Sequence, residues 1–399
     1  MKRYWGVLLL PFVFLFWRFR SLSPYGQALV RDGFPESYAE RLEALHERHP
    51  TWTFEPLVVT DLTWKAVLDK ECSPGWNLVI RSKWASGKWA KRGVSNYTPY
   101  MKKRSRVYDS GVWYQANRDA VAYFMDPRNF LNESEVFMFE TLAFVPEVHT
   151  QPAVERAFEG SFMANAAYDG GTRKFSELAL EVGKRLNLSP VFLANRLKGE
   201  QGDGTVQSKG KIGDSLVSLY SNGTDRVGNM LVWGERYRRD GTNTAAVVAA
   251  GAGAYNGYYN LFNMGACGSG VFEIRLNAWK EASGEETCRR YLGPWTSQEK
   301  ALRGGALKVK ERYVAGGRHT RYLQKFSVDP KSGKSRWRQY MQNIAAPLVE
   351  ARNASAAYRK CGMLDKPFRF VIPVYADMPE DPCEDPADGD SVYSSRSED

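Results

Sequence analysis

The chain has 399 residues, 43% of them hydrophobic and 25% charged, with a formal net charge of +10. This length has room for two packed units. Five cysteines without a C-x-x-C pair, four histidines (His46, His49, His149 and His319) and no G-x-S-x-G elbow remove support for a zinc site and for serine–histidine hydrolysis, so neither metal nor cofactor is expected.

In chain order, residues 1–20 come first as a targeting segment. Lys2 and Arg3 precede an apolar run of 13 residues, Trp5 to Trp17. A charged start and an apolar middle make a secretory signal, and the run is short against the roughly 20 residues of a full span. Gly26-Gln27-Ala28 offers a small-residue cleavage site beyond Arg18 and Arg20. A cleaved signal and a retained membrane anchor both stay open, and either exports the rest of the chain.

Residues 21–150 read as a mixed region that packs on the next unit. Helix is predicted over Phe34 to Pro50, an extended segment over Trp52 to Val59, a short helix over Asp61 to Asp69 with Asp61 as cap, and a strand over Asn77 to Arg81. Trp84 to Ser110 is a basic, turn-rich loop. Arg118 to Phe124 is predicted helical, broken by Asp126-Pro127, and Glu133 to Phe144 is predicted as an amphipathic helix. From Gln151 to Ala376 helices dominate: Ala153 to Phe158, Lys174 to Leu186, Pro190 to Glu200, Gly270 to Ala282, Ser297 to Val314 and Ala345 to Cys361. Ser297 or Thr296 caps the fifth of these. Between Glu200 and Tyr258, the glycine- and lysine-rich stretch Gly202 to Gly213 is loop. Ser215 to Tyr220 and Met230 to Trp233 suit strands about an Asn222-Gly223 turn.

The stretch Ser189 to Gly204, S-P-V-F-L-A-N-R-L-K-G-E-Q-G-D-G, carries the most chemistry. Ser189 can cap a helix and Pro190 fits its first turn. Leu193 and Leu197 share a face, and Glu200, seven past Leu193, falls on that same core-directed face. Gly199, Gly202 and Gly204 then leave room for something to approach. A carboxyl there loses water around its charged form, which raises its pKa and suits a general acid; Arg196, four residues back, would oppose this if it reached Glu200. Taken alone, Glu200 reads more readily as a glutamate facing solvent at a helix end. A second segment, Gly257 to Ala266 (G-Y-Y-N-L-F-N-M-G-A), sets aromatic rings beside two amides, a combination that suits a sugar's apolar face and its hydroxyl or N-acetyl groups.

These two segments together resemble the bacterial endo-β-N-acetylglucosaminidases of glycoside hydrolase family 73, above all the membrane-linked or secreted cell-wall glucosaminidases of Gram-positive bacteria. The likeness extends through Phe34 to Tyr38, Leu45 to Phe54, Phe124 to Glu133, Phe158 to Met163, Tyr322 to Phe326, Gln339 to Ile344 and Phe370 to Pro379. The resemblance implies an α+β, mainly α fold: a lysozyme-like helical catalytic domain over residues 151–376 with a small strand-bearing lobe after Glu200. It implies Glu200 as catalytic acid and a glycan cleft lined by Gln201, Tyr258, Tyr259, Asn260, Phe262 and Asn263. For the second catalytic role it leaves two routes open: a base carboxylate, with Glu235 and then Asp240 ahead of Asp203 and Asp214, or attack by the substrate's own N-acetyl oxygen assisted by a tyrosine, Tyr313 or Tyr322.

Charge and ends agree with an exported wall enzyme. Residues 377–399 hold nine acids and one arginine, which leaves residues 21–376 at +14. A basic exported body suits a polyanionic partner such as the cell wall, and the same class implies peptidoglycan glycan strands and leaves room for a membrane partner protein. Nucleic acid is set aside, because export opposes it and no compact arginine block occurs. The acidic tail from Asp377 is too poor in apolar residues to fold and is expected to be disordered. Cys267 and Cys288 flank one predicted helix and could pair in an oxidising compartment.

Overall fold

The computed structural model describes residues 22–80, 107–108, 113–214, 256–267, 271–284, 288–326 and 339–386. Within them the chain is mainly helical with two small sheets, the class expected. The predicted signal or anchor, the strand pair about Asn222-Gly223, Glu235, Asp240 and the basic stretch Lys83 to Arg106 lie outside the described residues. Among those described, no helix is long and apolar enough to cross a membrane.

Two helices, α1 (Pro24–Asp32) and α2 (Glu36–Arg48), lead to β1 (Thr53–Thr63). Strand β1 pairs in parallel with the last strand, β5 (Arg369–Ala376), from Thr53 against Arg369 to Val59 against Tyr375. Six consecutive residues of β5, Phe370 to Tyr375, are buried, as a parallel strand covered on both faces requires. In a two-stranded sheet each strand is an edge, so Pro56 and Pro373 are tolerated. Trp52, fully buried, packs against Phe137, Phe368 and Phe370, and its indole N–H donates to Leu364 O at 2.9 Å.

Helix α3 (Trp64–Glu71) starts later than predicted. Strand β1 runs through Asp61, so the cap is Thr63, whose hydroxyl accepts from Ala66 N at 3.2 Å. A second sheet, antiparallel, has β4 (Trp113–Gln115) between β2 (Leu78–Ile80) and β3 (Val107–Tyr108). Helix α4 (Arg118–Met125) comes next, capped by Asn117.

The amphipathic helix predicted over Glu133 to Phe144 does not form. Only a 3-10 turn, Val136–Phe139, occurs there, and all four of its residues are buried. Four consecutive buried side chains cannot sit on one face of an amphipathic helix. The chain then straightens to bridge β5, Glu140 opposite Phe370 and Thr141 N bonded to Arg369 O at 2.9 Å.

The helical body comprises α5 (Gln151–Ala157), α6 (Phe175–Leu186), α7 (Pro190–Gln201), α8 (Val271–Ser283), α9 (Gln298–Val309), α10 (Arg321–Lys325) and α11 (Ala346–Lys360). Helix α9 ends at Val309 and passes into a π-helical turn, Lys310–Val314, so the single helix predicted to Val314 is two elements. Ser297 is its cap, accepting from Lys300 N at 3.1 Å.

Residues on either side of position 150 share one apolar core. Leu142 N bonds to His319 O and Ser189 N to Leu142 O, at 2.9 and 2.8 Å, and buried Glu140 pairs with Arg321 at 2.6 Å. The acidic tail, expected to be disordered from Asp377, is held in its first part. Buried Arg128 donates to the carbonyls of Pro379, Glu380 and Asp381 at 2.8–3.0 Å, and Cys383 N donates to Asp126 at 2.9 Å. With the Asp126 carboxylate, those carbonyls satisfy a guanidinium that burial would otherwise penalise, and Met378 and Cys383 pack against the core beside it.

Candidate active site

Helix α7 delivers Glu200. Ser189 caps it, accepting from Phe192 N at 3.1 Å, and Pro190 occupies its first turn. Every residue from Pro190 to Leu197 is buried, so the helix is central rather than one-sided. Glu200, its penultimate residue, is partly exposed where the helix emerges.

The carboxyl of Glu200 faces the segment 256–267. Asn263 Nδ2 donates to Glu200 Oε2 at 2.8 Å and to the Glu200 carbonyl at 3.1 Å. Asn263 has φ +48°, a left-handed conformation that asparagine tolerates better than most residues. Burial pushes the Glu200 carboxyl up to about 7; the Asn263 hydrogen bond and the Arg196 charge pull down against it, and Glu350 adds a smaller upward push.

The predicted cleft residues divide by burial. Tyr258, Tyr259 and Asn263 keep exposed surface. Tyr259 lines an open cavity of about 490 Å³ with Phe162, Lys209 and Gln298. Gln201, Asn260 and Phe262 are buried, and their polar atoms or rings are engaged within the protein. Gln201 Nε2 donates to Asn260 O, Leu261 O and Asn263 Oδ1 at 3.2, 2.8 and 3.1 Å. Asn260 donates to Met264 O and Ala278 O and accepts from Met264 N. The Phe262 ring fills the space that a Cβ on Gly305 of α9 would need, so the helix requires glycine there. Where the sequence places these three on the glycan cleft, the structure has them buried and bonded within the segment that presents Asn263.

Tyr322, the tyrosine expected to assist the N-acetyl route, lies in the interior. It is fully buried, with its hydroxyl bonded to Met125 O and, at 2.7 Å, to the Tyr375 hydroxyl, which places it in the core beside β5. The tyrosine beside Glu200 is Tyr340. Its ring lies 3.7 Å from the Arg196 guanidinium, with Tyr313 edge-on at 5.2 Å, and its hydroxyl donates to Phe262 O at 3.2 Å. Burial and the Glu200 charge hold that hydroxyl well above the ordinary tyrosine value, so it is a donor at neutral pH.

The N-terminal region holds Tyr340 in place. Leu78 of β2 pairs with the chain just beyond it, Leu78 N to Gln342 O at 2.8 Å and Ile344 N to Leu78 O at 3.0 Å. Gln339 Nε2 donates to Trp76 O at 2.9 Å, and buried Lys325 bonds both Trp76 O and Gln339 Oε1. The sequence marks Gln339 to Ile344 without singling out Tyr340, because only these long-range contacts distinguish it from Tyr322.

Arg196 does not pair with Glu200. Its Nε and Nη2 donate to Glu350 of α11 at 2.7 and 3.3 Å, and Nη2 also donates to Gln324 at 3.1 Å. Sequence reasoning missed Glu350, though one signal was present: it is the sole acid in the alanine-rich run Ala345 to Ala357. Asp214 accepts from Asn256 at 2.7 Å and Asp203 is exposed. No group of three or more His, Cys, Asp or Glu able to hold a metal occurs among the described residues. Cys267 is an exposed free thiol, so the pairing with Cys288 is not made.

No family model matches the sequence, and no curated protein matches it. Among solved structures, the chain is similar to the Major Bifunctional Autolysin at 16% identity and a TM-score of 0.40, covering 81% of this chain and 98% of that one. It is similar to S. aureus glucosaminidase B at 16% identity and 0.41, covering 82% and 94%, and to S. aureus Autolysin E at 16% and 0.38, covering 71% and 93%. At these scores the likeness transfers no residue's role.

Proposed function

We propose that the chain is a peptidoglycan hydrolase, an endo-β-N-acetylglucosaminidase that cleaves the β-1,4 bond after N-acetylglucosamine, with Glu200 as general acid. The observation that carries this is a carboxyl held near neutrality by burial at the end of α7, with its orientation set by Asn263. With Oε2 accepting from Asn263, the proton of neutral Glu200 belongs on Oε1, free to pass to the leaving glycosidic oxygen. The carboxylate that results keeps the Asn263 hydrogen bond and gains from the Arg196 charge, so proton transfer is aided as the bond breaks. Tyr258 and Tyr259 offer rings for sugar faces.

For the second step, Tyr340 is the candidate to orient or stabilise an N-acetyl oxygen attacking the anomeric carbon. The base route rests with Glu235 and Asp240. A lytic transglycosylase or muramidase is the competing reading. Glu350 is the one other carboxylate among the described residues whose charge acts on Glu200, and Arg196 occupies it; a transglycosylase needs no second carboxylate. A wall-binding scaffold with an inactive cleft would leave the raised Glu200 carboxyl without a use.

Purified peptidoglycan digested with the chain and reduced with borohydride separates these by mass spectrometry. Reduced N-acetylglucosamine ends support the glucosaminidase. Reduced muramic acid or anhydro ends move Glu200 to the rival reaction, and bound but uncut glycan would sink the hydrolase altogether.

A further inference from the structure

Arg196 and Glu200 stand four apart on α7, the spacing at which opposite charges on a helix usually meet. If they met in this buried setting, Glu200 would stay ionised and could not give a proton. Arg196 is instead turned to another helix and fixed there. Its guanidinium lies between the Tyr340 ring at 3.7 Å and the Phe192 ring at 4.9 Å, and two of its nitrogens bond the Glu350 carboxylate. Arg196 and Glu350 are 3% and 6% exposed, so solvent screens their charges little.

We infer that Glu350 is a positioning residue for Glu200: it binds Arg196 and keeps that guanidinium from pairing with the carboxyl four residues on. The inference rests on the general-acid reading of Glu200. The groups that act on Glu200 are Asn263 from the segment 256–267, Arg196 from its own helix, Glu350 from α11 and Tyr340 from the strip bound to β2. Glu350 also faces Arg321 of α10 at 3.9 Å, and Arg321 in turn is paired with Glu140. Glu350 is therefore the carboxylate that offsets Arg196 directly. Without it, Glu200 is the remaining carboxylate whose charge acts on Arg196, a buried guanidinium whose Nη1 already lacks a hydrogen bond among the described residues.

Two variants should move the acid in opposite directions. Glu350→Gln keeps shape and removes charge; it should shift the basic limb of kcat/KM to lower pH by about one unit, a loss of about tenfold above the limb with little loss below it. Arg196→Met removes the opposing cation and should shift the same limb upward. A purely structural role would lower activity equally at every pH and leave the limb where it is, and that result overturns the inference. Should Glu350→Gln not fold, Arg196→Met carries the test alone, and a limb that stays or falls overturns it.

A readout without turnover keeps this separate from the proposed function. NMR of glutamate labelled at the carboxyl carbon, assigned by the resonance lost in Glu200→Gln, titrates Glu200 directly in the full chain. A lower midpoint in Glu350→Gln supports the inference even if no glycan is cut. An unmoved midpoint overturns it even if hydrolysis is found.

Discussion

Asn263 bonds Glu200 twice through one side-chain nitrogen, to the carboxyl Oε2 at 2.8 Å and to the main-chain carbonyl at 3.1 Å. The bond to the carbonyl satisfies an acceptor left over at the end of α7, and the bond to the carboxyl fixes which oxygen can carry the proton. One residue thus closes the helix and aims the acid.

Glu200→Gln should abolish hydrolysis and leave glycan binding intact, whereas Glu235→Gln should lower activity only if Glu235 is the base. Digestion of purified peptidoglycan with each variant checks both. Near-wild-type activity in Glu200→Gln removes it from the mechanism.

The same variant has a stability signature. Glu200 titrates near 7 in the folded chain and near the ordinary glutamate value when unfolded. The folded state therefore holds the proton more tightly, and stability falls as pH rises from about 4.5 to about 7. Wild type should lose up to about 3 kcal/mol relative to Glu200→Gln across that window, less whatever solvent screens at a partly exposed residue. Urea unfolding of both proteins at pH 4.5 and 8 measures it, and parallel pH profiles would refute the raised carboxyl.

Asn263→Asp keeps the size and tolerates the left-handed backbone, but it removes the N–H donor and sets a like charge beside Glu200. The Glu200 carboxyl should be pushed further up, and kcat/KM at pH 7 should fall at least about tenfold, equivalent to about 1.4 kcal/mol. Steady-state kinetics across pH would show it; an unchanged rate would mean that the hydrogen bond does not orient the acid.

The two tyrosines should separate cleanly. Tyr340→Phe removes a hydroxyl beside Glu200 and should cost about a hundredfold in kcat with a small change in Tm. Tyr322→Phe leaves Tyr375 and Met125 without a partner in the core and should cost about 1–2 kcal/mol of stability with activity kept. Thermal melts beside kinetics distinguish them, and the reverse pattern would return the catalytic role to Tyr322.

Removing residues 377–399 should destabilise the chain by about 1–3 kcal/mol, since it strips Arg128 of three carbonyl partners and leaves it with Asp126 alone. Ending the chain at Pro386 keeps all three of those bonds. Denaturation of the two truncations compares them, and equal stability would show the strap to be idle.

Local signals were legible wherever a neighbouring residue decides the outcome. The Ser189-Pro190 start of α7, its glycine stop, the placing of Glu200 at its end and the helices of the body follow from caps and period alone, because a helix satisfies its own backbone. The direction of the carboxyl's shift was legible as well, since a glutamate at the end of an apolar helix loses part of the water around its charged form. Distant pairing was not. Whether Arg196 meets Glu200 or Glu350 depends on a helix whose carboxylate lies 154 positions further on. Tyr340 is set beside the acid by contacts such as that of Gln339 with Trp76, 263 positions before it. Val136–Phe139 reads as helix by composition and becomes a buried turn because β5 and Trp52 pack against it. Periodicity specifies which face a residue takes on its own element; only packing specifies the residue that stands opposite, and in this site the carboxylate opposite Arg196 leaves Glu200 free to hold its proton.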